Sequence, residues 1–157
     1  MNTLSEPHII LEMLAENEEA VGALYRAYAE KFPQHHDFWT RLADEEAYHS
    51  RLIQKMWKGG NDHVVITENR FDISLLQISL EYLREKLKQA RDEPISYEDA
   101  LSIALEIETG MLERDFFTVY EGTSAQFIRT MEILASATEK HTDVIRDELA
   151  RKRRTLF

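Results

Sequence analysis

The stretch that decides the fold is LADEEAYHSRLI, residues 42–53. Stepping along it by alternating fours and threes, the spacing that keeps side chains on one inward face of a helix, passes through Leu42, Glu46, His49 and Ile53. Extended both ways, the line takes in Trp39 and Met56. A glutamate and a histidine one turn apart therefore share a stripe with large apolar residues. A solvated helix places such residues on its outer face, so this one is built to bury them.

The rest of the chain repeats the pattern. Residues 5–32 carry an apolar rhythm that starts at a candidate cap, Ser5, followed by Pro7, and that stops at Pro33; the inward line reads Pro7, Leu11, Leu14, Glu18, Val21, Tyr25, Tyr28, Phe32. Asp37 is positioned to cap the second helix, which ends before Gly59 and Gly60. Residues 61–71 are polar and predict an irregular segment. A connecting helix over 73–90 follows, with Ile73, Leu76, Leu80, Leu83 and Leu87 as its apolar stripe, and Pro94 ends it. Ser96 with Asp99 reads as a capping box opening a third long helix, predicted to continue through Tyr120 to Gly122. Its inward line is Leu101, Ala104, Glu108, Met111, Asp115, Val119. A last helix, capped by Thr123 or Ser124, runs from about residue 125 into the basic tail Arg151–Arg154, with Phe127, Met131, Leu134, Thr138, His141, Ile145 and Leu149 inward. The tail suits the negative end of a helix dipole. Short, long and short connections predict an all-α chain: one domain over 1–157, a four-helix bundle of two hairpins, with a crossover at 61–95 that contains an extra helix.

Composition narrows what such a bundle does. The chain has 157 residues, 43% hydrophobic and 31% charged, enough for one sizeable core. Five Gly and three Pro leave little punctuation for strands. Zero Cys excludes disulfides, thiolate nucleophiles, zinc fingers and cysteine-held iron, so a metal would sit among nitrogen and oxygen. The net charge of −10 disfavours nucleic acid and anionic membranes as partners. The first residues lack a basic leader and a cleavage site, and no apolar run spans a bilayer, which predicts a cytoplasmic protein.

Glu18, Glu46, His49, Glu108 and His141 are therefore predicted to meet mid-bundle. A buried ionised group without a partner costs on the order of several kcal/mol. One cation held by all five would remove that cost, and carboxylates with imidazoles suit iron or manganese. The alternative is a buried hydrogen-bonded network that satisfies itself. A bare Glu-x-x-His is a weak signal; its registration with polar residues on three other helices is much stronger. Separations support it too, since Glu18 to His49 and Glu108 to His141 are nearly equal. Tyr25 and Tyr28 read as core aromatics with a polar tip. Asp115 is expected to pair with an arginine such as Arg26 or Arg114. His8, His35, His36 and His63 read as surface residues, and of the acidic runs 16–19 and 44–46 only Glu18 and Glu46 turn inward.

Taken together, these residues resemble the ferritin-like superfamily of di-iron carboxylate proteins, and its rubrerythrin-like branch most. NEEAVGALYRAYAEKFP (17–33) is similar to the first helix, with a ligand Glu seven residues before a Tyr; LADEEAYHSRLI is similar to the second, ALEIETGMLERDFF (104–117) to the third and LASATEKHTDVI (134–145) to the fourth. The resemblance implies that Glu18, Glu46, His49, Glu108 and His141 are metal ligands, with Glu106 or Glu113 as competitors for the third-helix place. It implies one or two iron ions, with manganese or zinc as other cations for these donors, and peroxide or oxygen as substrate. A homodimer and an external electron-donor protein are implied as well, because the family's rubredoxin module needs four cysteines. One position departs: Thr138 stands where the second Glu-x-x-His places its Glu, and Glu139 beside it is turned about 100° away. Two other functions fit the residues, an iron-binding or sequestering protein without turnover and a metal-free bundle serving as an interaction module. The connecting-helix stripe either forms the dimer surface or packs on the bundle.

Overall fold

Two helices with apolar inward lines and a short connection must fold back on each other to bury them. In the computed structural model, which describes residues 6–58, 64–66, 73–113, 120–122 and 125–155, they do. Helix α1 (Glu6–Lys31) ends where Pro33 opens a single 3₁₀ turn (Pro33–His35), and α2 (His36–Lys58) returns antiparallel to it. Arg26 pairs with Asp44 at 2.9 Å near one end of this hairpin, and Glu19 accepts from Ser50 at 3.1 Å further down. An ideal Cβ at Gly22 would lie 3.4 Å from the Ala43 carbonyl and 3.5 Å from Glu46 Cβ, so the helices touch beside Glu46. Asp37 is in the first turn of α2 instead of capping it, because the 3₁₀ turn runs straight into the helix at His36.

The crossover helix α3 (Ile73–Asp92) runs parallel to α1. Ser79 donates to Asn17 at 2.7 Å, and at the far end Lys31 Nζ donates to the carbonyls of Ala90 and Glu93, closing the α3 C-terminus with a cation. Leu76, Leu80 and Leu83 are buried, with Ile73 and Leu87 partly so. The stripe is therefore covered by this chain's own bundle and is not a free dimer surface.

Helix α4 (Tyr97–Glu113) starts as the capping residues predict: the Asp99 amide donates to Ser96 Oγ at 3.0 Å. Ser96→Ala should cost about 1 kcal/mol in denaturant unfolding. Helix α5 (Ala125–Arg154) returns antiparallel to α4, with Tyr97 donating to Glu148 at 2.9 Å. In the tail, Arg151 pairs with Glu148, and Arg153 with Glu98 at 2.9 Å. Of the four bundle helices, α1 and α5 run one way and α2 and α4 the other.

Two expectations are corrected. The third long helix does not reach Tyr120, which lies in a strand, and α4 is described as far as Glu113; nor is the segment 61–71 wholly irregular. Val64–Ile66 (β1) pairs antiparallel with Tyr120–Gly122 (β2), Val64 opposite Gly122. Three consecutive β-branched residues favour extended backbone, and the pairing satisfies its amides across a long sequence separation that a helical period does not register. Ser5, Gly59, Gly60, His63, Asp115, Thr123 and Ser124 lie outside the described residues. No described helix is long and apolar enough to cross a membrane.

The core centres on an aromatic group at the α1–α2 turn, with Trp39 fully buried against Tyr25, Tyr28, Phe38 and Tyr97. His35 is half-buried, its ring stacked on Tyr97 at 3.7 Å, contrary to the surface reading; His36 is exposed as expected.

Candidate metal centre

Below that aromatic group the bundle turns polar. Glu18 from α1, Glu46 and His49 from α2, Glu108 from α4 and His141 from α5 are all buried, none more than 4% exposed. They form two triads that share Glu46. One ligand atom from each of Glu18, Glu46 and His49 lies within 4.8 Å of the others, and the same holds for Glu46, Glu108 and His141. Each triad could hold a metal ion. Of the third-helix candidates, Glu108 is fully buried, whereas Glu106 is exposed and accepts from Tyr82; the Glu113 side chain lies outside the described residues.

Close imidazole–carboxylate contacts connect the triads. His49 Nδ1 is 3.4 Å from Glu46 Oε2, and His141 Nδ1 is 2.8 Å from Glu46 Oε1 and 3.5 Å from Glu108 Oε1. Tyr25 donates its hydroxyl to Glu108 Oε1 at 2.8 Å, so this ring does more than fill the core. Arg26, one expected partner of Asp115, is committed to Asp44. Thr138 is buried, but its hydroxyl donates to the Leu134 carbonyl at 3.0 Å, a bond within its own helix. Glu139 is exposed, as its one-residue offset requires.

Several donor atoms are left over. Glu18 Oε2, Glu108 Oε2 and His141 Nδ1 are buried without a hydrogen bond, the last because its close approach to Glu46 lacks a hydrogen bond's direction. Leaving a buried polar group unpaired costs about 1–3 kcal/mol, and more for a charged one. Two carboxylate oxygens and a ring nitrogen from three helices, left unpaired around Glu46, are atoms that a cation can satisfy once their protons leave, so the donor set fits a metal.

Without a cation the cluster balances itself with protons. Burial raises Glu18 well above the carboxylate range, and the neighbouring Glu46 and Glu108 charges push the same way. Burial would also raise Glu46, but the close approach of Glu18, His141 and His49 outweighs it and holds Glu46 low. Burial and then the Glu46 charge push Glu108 up to about 7, against the pull of His141 and Tyr25. Burial alone disfavours an imidazolium at His141, yet the Glu108 and Glu46 carboxylates push it up to about 11.

A pH dependence follows. Glu108 at about 7 and His141 at about 11 both hold protons more tightly folded than at their ordinary values of 4.5 and 6.5. Stability from these groups is complete at low pH and is lost as pH rises, over 4.5 to about 7 for Glu108 and over 6.5 to about 11 for His141. The melting temperature of metal-free protein should therefore fall between pH 6 and pH 9, at roughly 2–4 °C per kcal/mol for a chain of this size. Saturating cobalt(II) should oppose the fall, because binding requires these protons to leave and is favoured as pH rises. A melting temperature that rises over that range in metal-free protein would contradict the assignment.

Reasoning from sequence placed five residues here and missed one. Glu45, read as part of a solvated run, reaches His141 Nε2 with its carboxylate at 2.5 Å. The doublet Glu45–Glu46 was the only available hint, and it does not say that α5 lies on the side to which Glu45 turns. Compared with known proteins, the chain matches no family model, no curated protein and no solved structure.

Proposed function

We propose that the chain is a ferritin-like bundle of the rubrerythrin type that binds iron through Glu18, Glu46, His49, Glu108 and His141, as a non-haem iron oxidoreductase acting on peroxide or oxygen. The observation that carries this reading is the convergence of buried, unpaired ligand atoms from Glu18, Glu108 and His141 on a site centred on Glu46. The helix directions support it, because one crossover between two antiparallel hairpins is the connectivity of ferritin-like folds.

Bound iron would supply electron transfer to the oxidant. The chain's own residues do the rest. Glu46 belongs to both triads and is the carboxylate held ionised, so it would help to hold a cation in either one. Tyr25 fixes the Glu108 carboxylate by its 2.8 Å hydrogen bond. Glu18 holds its proton against Glu46 in the metal-free state and must release it for a cation to bind. The apolar residues flanking the line, Val21, Ile53, Leu101, Leu134 and Ile145, are all buried and keep bulk water from the cluster. Electrons come from a separate donor protein, since the sequence contains no cysteine to hold a second iron centre.

Thr138 favours a second reading, iron binding without turnover. A threonine there gives α5 no carboxylate at this level, and its hydroxyl is committed to Leu134, so a second cation would be held less tightly. Elemental analysis of protein made in iron-replete cells, purified without chelators or a histidine tag, tests both. Two irons per chain that are oxidised by peroxide and re-reduced by an added donor support the oxidoreductase. Iron that binds without cycling supports the second reading. No metal, even after anaerobic ferrous reconstitution, overturns both and leaves a metal-free interaction module.

A further inference from the structure

Glu45 precedes Glu46 on α2, and one residue of helix turns its side chain about 100° away from the cluster. It is half exposed, its side chain retaining 49% of its accessible surface, whereas that of His141 retains 3%. Yet the Glu45 carboxylate closes on His141 Nε2 at 2.5 Å, across the gap between α2 and α5. The two nitrogens of this ring are therefore divided. Nε2 faces Glu45 at the surface, and Nδ1 faces Glu46 and Glu108 in the interior.

A ligand histidine is useful only if one nitrogen is turned to the metal, and a hydrogen bond on the other nitrogen is what holds the ring there. The interior residues do not supply that hold. Glu46 and Glu108 both lie on the Nδ1 side, and Thr138, one turn before His141, spends its hydroxyl on Leu134. We infer that Glu45 is a positioning residue for His141, fixing the imidazole so that Nδ1 is the nitrogen offered to a cation between Glu46 and Glu108. Glu45 also brings a negative charge to the edge of a site to which α5 contributes no carboxylate. The inference deepens the metal-binding reading and rests on it for its cation, while the orientation of the ring is testable without one.

A merely structural pair would behave differently. An ion pair with one partner half exposed contributes little to stability, so losing it would show at most a small change in melting temperature and nothing else. A positioning role predicts more for Glu45→Ala. Cobalt(II) affinity, read from the visible absorption of the bound ion, should fall by about 10–100-fold at one of two positions, with the fold retained by circular dichroism. Glu45→Gln keeps an acceptor oxygen and should recover most of that loss. In metal-free protein, ¹H–¹⁵N spectra of ring-labelled histidine should show a solvent-protected Nε2 proton on His141, absent in Glu45→Ala and present in Glu45→Gln. Wild-type cobalt affinity in Glu45→Ala, or an unchanged His141 ring proton there, overturns the proposal. Should the wild type bind no metal, the metal-binding reading fails, and the ring proton by itself decides whether Glu45 orients His141.

Discussion

Glu46→Ala should abolish metal binding at both triads together. Glu46 is the one residue common to them, and its two oxygens face opposite histidines, His49 at 3.4 Å and His141 at 2.8 Å. Without it one triad keeps Glu18 and His49, the other Glu108 and His141, and neither pair encloses a cation. Losing an outer-shell partner already costs about 10–100-fold in affinity, so removing this carboxylate should cost at least about 100-fold for each ion. Titrating cobalt(II) into the variant reads this directly. Glu18→Ala makes the contrast, because it belongs to one triad only and should leave binding at Glu46, Glu108 and His141 measurable. Two ions bound to Glu46→Ala with wild-type affinity would mean that Glu46 is not shared.

The same substitution reports on the metal-free cluster. Removing one partner of a buried ion pair usually costs about 3–5 kcal/mol, because the other charge is left uncompensated. The expected cost here is smaller, since Glu108 Oε1 remains 3.5 Å from His141 Nδ1 and can take over as counter-charge. Metal affinity should collapse while much of the stability is kept.

Trp39→Ala should have the largest effect on folding. The indole is fully buried in the first turns of α2, with ring centroids 4.9 Å from Tyr28, 5.1 Å from Phe38, 5.5 Å from Tyr25 and 6.2 Å from Tyr97. It therefore joins the end of α1 and the start of α2, from one hairpin, to the start of α4, from the other. Truncating a buried tryptophan to alanine costs about 3–5 kcal/mol, a large share of the roughly 5–15 kcal/mol by which a domain is stable. Denaturant unfolding should show that loss. Trp39→Phe should cost clearly less, because Trp39 Nε1 has no hydrogen-bond partner in the fold and its removal takes away a buried, unsatisfied donor along with part of the ring. The effect reaches the candidate site through Tyr25, which packs on Trp39 and holds Glu108. A Trp39→Ala variant within 1 kcal/mol of wild type would contradict this account of the core.

Much of the architecture was legible in the order of residues. Pro33 and Pro94 mark two helix ends, Ser96 starts α4, and stepping by threes and fours picked out Glu18, Glu46, His49, Glu108 and His141, all of which are buried. These features are local: a cap, a proline and a helical face depend on residues within a turn or two of one another, so the chain alone determines them.

What only the tertiary structure decided depends on which side of a helix its neighbour lies. Glu45 is solvent-facing by the period of α2 and becomes a partner of His141 because α5 packs beside it. Tyr25 reads as a core ring until α4 brings Glu108 to its hydroxyl. The pairing of Val64–Ile66 with Tyr120–Gly122 joins residues more than fifty positions apart, where local periodicity carries no information. The helical period says which residues share a face, and only the packing of the helices says what that face meets.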